Sequence, residues 1–260
     1  TLGCSSSSGE PTPPAGTDTT GADTAAAWDV LESDGAASDA GVPDAGEPDP
    51  DTSTVAPSLY VPATWDVADP VTATIADPSR VGAPDRTFNV AFRAPIDAPE
   101  PWPVVILSHG GSSGKTNAIQ ALERWAVFAA RLGYLSVSIA HPLRSPEEGQ
   151  ALCEHLGATA DQCDFFKYNN YDRPQDVMRL LDELEMLAET PEWDGRFDLS
   201  RIAYLGHSAG AGATQMINGA CRSYYSGFVG DESFCAKDER PVGFVSLSPQ
   251  GIGEDGFKEG

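Results

Sequence analysis

The stretch Arg201-Ile-Ala-Tyr-Leu-Gly-His-Ser-Ala-Gly210 decides how this sequence folds. Its first half, Ile202 to Leu205, is a short apolar run that predicts a buried strand. Its second half has the pattern Gly-x-Ser-x-Gly centred on Ser208, and a run of small residues follows. A strand, a tight turn carrying a serine and a helix, in that order, predict a nucleophile elbow that raises the serine above the end of a parallel sheet.

The two glycines of this pattern, Gly206 and Gly210, are expected to be structural elements of the elbow. Strand and helix pass so close at such a turn that a side chain at either position would collide. The turn also points the first amides of the helix at the site where negative charge develops during acyl transfer. We therefore predict that Ser208 is a catalytic nucleophile. The alternative is a serine in an ordinary structural turn.

Composition limits the classes of partner. The chain has 260 residues, 40% of them hydrophobic, which predicts one domain with a sizeable core and a tail. The formal net charge is -23, with 39 acidic against 16 basic residues. Nucleic acid is excluded as a partner and an anionic membrane surface is disfavoured, because both require clustered Lys and Arg. No apolar run reaches the roughly 18 residues of a membrane span, and we expect a monomer.

Residues 1–57 are predicted to be a disordered, acidic, low-complexity tether, and residues 58–260 the folded domain. The tether is rich in small and polar residues and contains no Lys or Arg, so it cannot bury enough apolar surface to offset the entropy of ordering. Its start, Leu2-Gly3-Cys4, is similar to the end of a bacterial lipoprotein signal. We therefore expect an exported protein, secreted or anchored at the cell surface by a lipid on Cys4. An accidental cysteine is the alternative.

The other four cysteines form two close pairs in polar, loop-like segments. In an exported protein they predict the disulfides Cys153–Cys163 and Cys221–Cys235. Reduced thiols and other pairings remain alternatives. Zinc is disfavoured, because no Cys-x-x-Cys occurs and His155 is the only histidine nearby.

Strands and helices alternate along the domain. Alternating patterns at 71–75 and 87–93 predict antiparallel strands at a sheet edge, whereas continuous apolar runs at 103–108, 135–140 and 242–247 predict strands buried on both faces. Helices are predicted at 117–132, with Trp125 on the apolar face, and at 173–189, with Pro174 at its start. Residues 143–172 are predicted to form a lid or rim insertion. The fold class is therefore α/β, with a mostly parallel sheet covered by helices on both faces.

A glycine-rich turn follows the strand at 103–108 and is the candidate oxyanion loop. Acyl transfer by a serine needs backbone amides that stabilise the oxyanion. The residue after the nucleophile, Ala209, is expected to supply one N–H, and the loop after an earlier strand the second. We predict Gly111 as the second donor, with Gly110 as the alternative.

Taken together, these features resemble the α/β-hydrolase superfamily and, more narrowly, bacterial relatives of platelet-activating-factor acetylhydrolase and dienelactone hydrolase. The resemblance covers roughly residues 70 to 252. It rests on Asp77-x-x-Arg80, Pro103-Val-Val-Ile-Leu-Ser-His-Gly-Gly111, the helix that begins at Arg173, Phe197-Asp198-x-x-Arg201-Ile, Gly206-His-Ser-Ala-Gly210 and Leu247-Ser-Pro-Gln-Gly251. It implies hydrolysis of a small-molecule, lipid or polymer ester without a metal or another cofactor.

The sequence departs from this superfamily after the serine. The order Ser, then Asp or Glu, then His is expected, yet no histidine follows Ser208. We therefore expect the sequence to be the front portion of a longer, C-terminally truncated hydrolase, in which the acid and the base are missing. By itself it should hydrolyse esters very slowly. A surface binding module without catalysis is the main alternative, and His141 or His155 as substitute base is a remote one.

Overall fold

A computed structural model of the chain describes residues 63–111, 116–157, 165–222, 234–249 and 251. The tail 1–57, Cys4 and Cys163 lie outside these residues, so the predictions made for them are not tested. In chain order the described strands are β1 (Val71–Asp77), β2 (Arg86–Arg93), β3 (Trp102–Ser108), β4 (Leu135–Ala140), β5 (Phe197–His207), β6 (Cys221–Arg222), β7 (Phe234–Cys235) and β8 (Pro241–Leu247). The helices are α1 (Glu123–Arg131), α2 (Pro146–His155), α3 (Phe165–Ala188) and α4 (Ala209–Ile217).

Six of these strands form one mixed sheet in the order β1-β2-β4-β3-β5-β8. β1 and β2 pair in antiparallel fashion at one edge, β2 joins β4 antiparallel, and the remaining pairs are parallel. The predicted α/β class, with an antiparallel edge on a mostly parallel sheet, is confirmed. Because β3 and β5 are parallel neighbours, their C-terminal ends meet at one edge of the sheet, where the two glycine-containing turns follow.

The main core lies between the sheet and α3 with α4. Side chains of β3 such as Val104 and Ile106 are fully buried there against Leu180 and Leu184 of α3. A smaller cluster around Ala126 lies between α1 and the opposite face. Helices therefore cover both faces, as buried parallel strands require. No helix in the described part of the chain has the length and apolar character needed to cross a membrane.

The first predicted helix is shorter and rotated. α1 begins at Glu123, because the preceding Leu122 has the left-handed backbone angle φ 53°. Upstream, the Asn117 side chain accepts a hydrogen bond from the Ile119 amide, and such a local bond competes with helix formation. Trp125, predicted on the buried face, is 45% exposed, and the small Ala126 is buried in its place.

The second predicted helix begins earlier than expected. α3 starts at Phe165, so Pro174 lies inside the helix and not at its first turn. A proline removes one amide hydrogen bond and usually bends or ends a helix. Here the turn around it is held in place because Asp172 and Arg173 are buried and hydrogen-bonded to other elements. Residues 143–172, predicted as a lid or rim insertion, therefore contain α2 and the beginning of α3.

The short hairpin β6–β7 is closed by the disulfide Cys221–Cys235, whose Cα atoms are 4.4 Å apart. This pair was predicted from sequence and is confirmed. Cys153 is buried in the second core cluster, and its predicted pairing with Cys163 falls outside the described residues.

Candidate active site

Ser208 stands at the junction of β5 and α4 with the backbone angles φ 52° and ψ -115°. A side-chain-bearing residue rarely adopts a positive φ, and such strain persists only where the surrounding structure enforces it. The Ser208 amide donates to the Leu247 carbonyl at 2.9 Å, which ties the turn to β8. The side chain is half-buried, and its hydroxyl makes no capping bond to the helix that follows.

Gly206 and Gly210 permit this geometry. A Cβ atom built on Gly206 would lie 2.1 Å from the Gly210 carbonyl oxygen, and one built on Gly210 would lie 2.2 Å from the Ser108 carbonyl oxygen. Both distances are far shorter than any real contact of a Cβ atom. Neither position can accept a side chain without movement of the backbone, so β5 and α4 pass each other at the separation that the elbow requires.

The turn after β3 lies against the elbow. A Cβ atom on Gly110 would be 2.7 Å from His207 Nδ1 and 2.9 Å from Ser208 Cβ. Gly111 has φ 90°, a conformation natural to glycine. The structure therefore brings the predicted oxyanion loop with Gly111, the predicted nucleophile Ser208 and the other predicted amide donor, Ala209, which begins α4, to one edge of the sheet. Amides in the first turn of a helix have no intrahelical partner and can bind an anion.

Several solved structures of esterases are distantly similar to this chain. The chain is 22% identical to "Bacterial Heroin Esterase", covering 58% of this chain and 40% of that chain with a TM-score of 0.32. A brefeldin A esterase, described as a bacterial homologue of human hormone sensitive lipase, is 19% identical to this chain. The match covers 62% of this chain and 37% of that chain with a TM-score of 0.38. An arylesterase structure is 15% identical to this chain, and the match covers 60% of this chain and 43% of that chain with a TM-score of 0.37. No protein-family model and no curated protein matches the sequence.

What decides the fold is the sheet order together with the strained serine between β5 and α4. This geometry matches the α/β-hydrolase fold that the sequence predicts. The chain spans about two-fifths of the length of the three structures named above. The wider resemblance seen in the sequence is thus confirmed for the fold, whereas the narrower likeness to platelet-activating-factor acetylhydrolase and dienelactone hydrolase stays a prediction.

Two histidines near the elbow are committed to structural contacts. His141 faces Ser108 Oγ through Nε2 at 2.6 Å and Asp176 through Nδ1 at 2.9 Å. His109 Nε2 accepts from the His141 amide at 3.1 Å, and its Nδ1 lies 2.8 Å from the Gly110 carbonyl oxygen. Neither ring has a nitrogen left for Ser208 in this arrangement. His141 therefore does not serve as the substitute base considered from the sequence. His155 is exposed at the end of α2.

His141 belongs to a buried charge network that sequence reasoning missed. At its centre Asp176 accepts two hydrogen bonds from Arg86, at 2.9 and 2.8 Å, and forms an ion pair with Arg80 at 2.9 Å. A second carboxylate, Asp172, binds Arg80 and Arg144. The members of the network, defined by these contacts, are Asp77, Arg80, Arg86, His141, Arg144, Asp172 and Asp176.

A sequence signal for this network existed. Asp172 and Asp176 stand at four-residue spacing before Leu180 and Leu184, so they continue the buried face of α3. Two carboxylates at core positions require buried cations. The partner arginines are 28 residues away for Arg144 and 90 or more for Arg86 and Arg80, and nothing in the local pattern identifies them. For Asp176, burial alone would raise the pKa, but the charges of Arg86 and Arg80 and the hydrogen bond to His141 hold it below its ordinary value.

Burial lowers the pKa of His141 to about 4, helped by the charges of Arg173 and Arg86 and opposed by Asp176. The neutral ring donates from Nδ1 to Asp176 and accepts the Ser108 hydroxyl at Nε2, so both nitrogens are hydrogen-bonded without a second ring proton. Between pH 6.5 and 4 the unfolded chain then binds a proton at this residue that the folded chain does not bind. Stability must therefore fall as the pH decreases through that window.

We expect the free energy of unfolding to decrease by about 3 kcal/mol as the pH falls from 7 to 4, because the lowered pKa of His141 makes the unfolded chain bind a proton that the folded chain does not. Urea denaturation at pH 7, 5.5 and 4 measures it. The matched variant is His141→Gln, which does not titrate and should give a flatter dependence on pH over the same range. Equal slopes for the two proteins would contradict the assignment.

In the described part of the chain no group of three His, Cys, Asp or Glu side chains is arranged to hold a metal ion.

Proposed function

We propose that the protein containing this chain hydrolyses carboxylic esters, with Ser208 as the nucleophile. The observation that carries the proposal is the strained backbone of Ser208, φ 52° and ψ -115°, at the end of a parallel strand and the start of a helix. Strain of this kind is a cost to stability, and it is concentrated at functional sites. Asp97, Leu122 and Ser248 also have a positive φ, but among these described residues only Ser208 lies between a parallel strand and the helix that directly follows it.

The proposed reaction begins with attack of Ser208 Oγ on the ester carbonyl carbon, while a base accepts the hydroxyl proton. The carbonyl oxygen becomes an oxyanion that the amides of Ala209 and Gly111 bind, with Gly110 as the alternative for the second. Collapse of the tetrahedral intermediate releases the alcohol and leaves an acyl-serine, which water hydrolyses to the acid. The base is not assigned, because His109 and His141 are engaged elsewhere.

The substrate class proposed is a small-molecule, lipid or polymer ester, and the serine mechanism needs neither metal nor cofactor. We further propose that the protein is exported and anchored through a lipid on Cys4. The Cys221–Cys235 disulfide supports export, because disulfides persist in oxidising compartments.

A fluorophosphonate probe tests the nucleophile directly, since it reacts covalently with activated serines. We expect the full-length protein to gain one label, located by mass spectrometry on the peptide that contains Ser208, and Ser208→Ala to gain none. A folded wild-type protein that stays unlabelled, and that hydrolyses no aryl ester, would favour the non-catalytic binding module. A label on another serine would overturn the assignment.

A further inference from the structure

The three peptide carbonyls that follow β3 are all engaged by buried side chains. Arg173 Nη1 donates to the His109 carbonyl, and its Nη2 donates to the Gly111 carbonyl at 2.8 Å. Between them, the Gly110 carbonyl lies 2.8 Å from His109 Nδ1. One arginine of α3 therefore bridges the first and third carbonyls of the oxyanion loop, and a histidine of the loop itself holds the middle one.

The protonation of His109 follows from its partners. Its Nε2 faces the backbone amide of His141, which can only donate, so Nε2 carries no proton. The proton of the neutral ring is then on Nδ1, which donates to the Gly110 carbonyl. In each of the three contacts with the loop, a side-chain N–H of Arg173 or His109 therefore donates to a peptide carbonyl.

Fixed carbonyls also fix the amides. In a planar trans peptide the C=O and the N–H point in opposite directions. The carbonyls of His109 and Gly110 belong to the same peptides as the N–H groups of Gly110 and Gly111. Holding these two carbonyls therefore fixes the directions of both N–H groups, in a loop that lies against Ser208.

Arg173 is a buried cation, which is unusual for a residue with a purely structural role. Its side chain is 2% exposed, and its Nε is buried without a hydrogen-bond partner among the described residues. Burial lowers its pKa to about 10, so the protein tolerates an unfavourable placement of a cation. A positive charge bound to a peptide carbonyl polarises that peptide and strengthens the N–H at its other end as a donor.

We propose that Arg173 is a positioning residue for the oxyanion hole: through the His109 carbonyl it orients the Gly110 N–H and strengthens it as a donor, and through the Gly111 carbonyl it holds the far side of the same turn. The proposal rests on the proposed ester hydrolysis at Ser208. Arg173 touches neither the nucleophile nor the oxyanion. Its effect on the rate passes through the peptides from His109 to Gly111.

The test compares Arg173→Met and Arg173→Lys with Arg179→Met in the full-length protein. Arg179 lies on the same helix and donates to the Ala76 carbonyl, far along the chain from the loop. Loss of one oxyanion donor lowers kcat about a hundredfold to a thousandfold. We expect Arg173→Met to lower kcat for an aryl ester by that amount with KM within about twofold, and Arg179→Met to leave both near wild type.

The lysine variant separates charge from geometry. Lysine keeps the positive charge but cannot bridge two carbonyls with a rigid fork, so kcat should lie between those of wild type and Arg173→Met. Unchanged kcat in folded Arg173→Met, or a change confined to KM, overturns the proposal. Should Arg173→Met fail to fold, as judged by circular dichroism, Arg173→Lys decides alone: a kcat reduced about tenfold supports the proposal, and wild-type kcat overturns it.

Failure of the proposed function would appear differently. If the folded wild-type protein hydrolyses no ester, that function is wrong, and hydrogen exchange of the loop tests the orientation of its amides. Faster exchange in the peptide that contains His109 to Gly111 for Arg173→Lys than for Arg179→Met supports the positioning role. Equal exchange in the two variants overturns it.

Discussion

Ser208→Ala is expected to lower kcat for a short-chain aryl ester about a million-fold in the full-length protein. Loss of the nucleophile in a serine hydrolase removes the acyl-enzyme route and leaves only the contribution of the oxyanion amides and of substrate binding. The alanine side chain fits wherever serine does, so folding should be unaffected. Initial rates at saturating ester, with thermal unfolding of both proteins measured in parallel, check the prediction.

Ser248→Ala is the matched control. Ser248 also has φ 52° and follows the neighbouring strand β8. It therefore shares the backbone strain and the position at a strand end, but not the following helix. Its replacement should leave kcat within about twofold. Comparable losses in the two variants would mean that the Ser208 hydroxyl has no special part in the reaction and would contradict its assignment as the nucleophile.

The largest expected effect on stability comes from Asp176→Ala. The carboxylate is fully buried and balances Arg86 and Arg80 while it accepts from His141. Removal of one partner from a buried ionic group leaves an uncompensated charge, at a cost of about 3–5 kcal/mol. Since a typical domain is stable by only about 5–15 kcal/mol, a measurable fraction of the variant should be unfolded at modest urea concentrations.

Asp182→Ala provides the comparison on the same helix. Asp182 pairs with Arg240 at 2.8 Å at the surface, where its side chain is 54% exposed. Exposed pairs contribute about 0–1 kcal/mol, so this variant should unfold close to the wild-type midpoint. Equal urea midpoints for the two variants would show that the network around Asp176 is not the stabilising element described above.

The features that the sequence predicts correctly depend on local patterns. The apolar runs of β3, β4 and β8 are long enough to identify buried parallel strands, and the Gly-x-Ser-x-Gly pattern locates the turn in which Ser208 is strained. Each is specified by residues next to one another in the chain, where backbone sterics and burial act directly.

The features that the sequence did not predict depend on distant partners. Pro174 suggested a helix start, but buried contacts of the preceding residues extend α3 toward its N-terminus. Trp125 belonged to an apolar stripe, yet the left-handed Leu122 changes which side of α1 faces the sheet. The link from Arg173 to the oxyanion loop spans more than sixty residues. Long-range polar contacts of this kind have no periodic signature.

The buried charge network also has a consequence for the order in which the domain assembles and opens. Arg80 and Asp172 are 92 residues apart, and Arg86 and Asp176 are 90 apart. The arginines cannot be buried favourably without the aspartates of α3, nor the aspartates without the arginines, because each would leave a buried charge unpaired. Docking of α3 onto the β1–β2 hairpin should thus occur as one concerted late step. In the native protein these elements should open together as a single cooperative unit, so a breathing motion that releases α3 would also release the oxyanion loop.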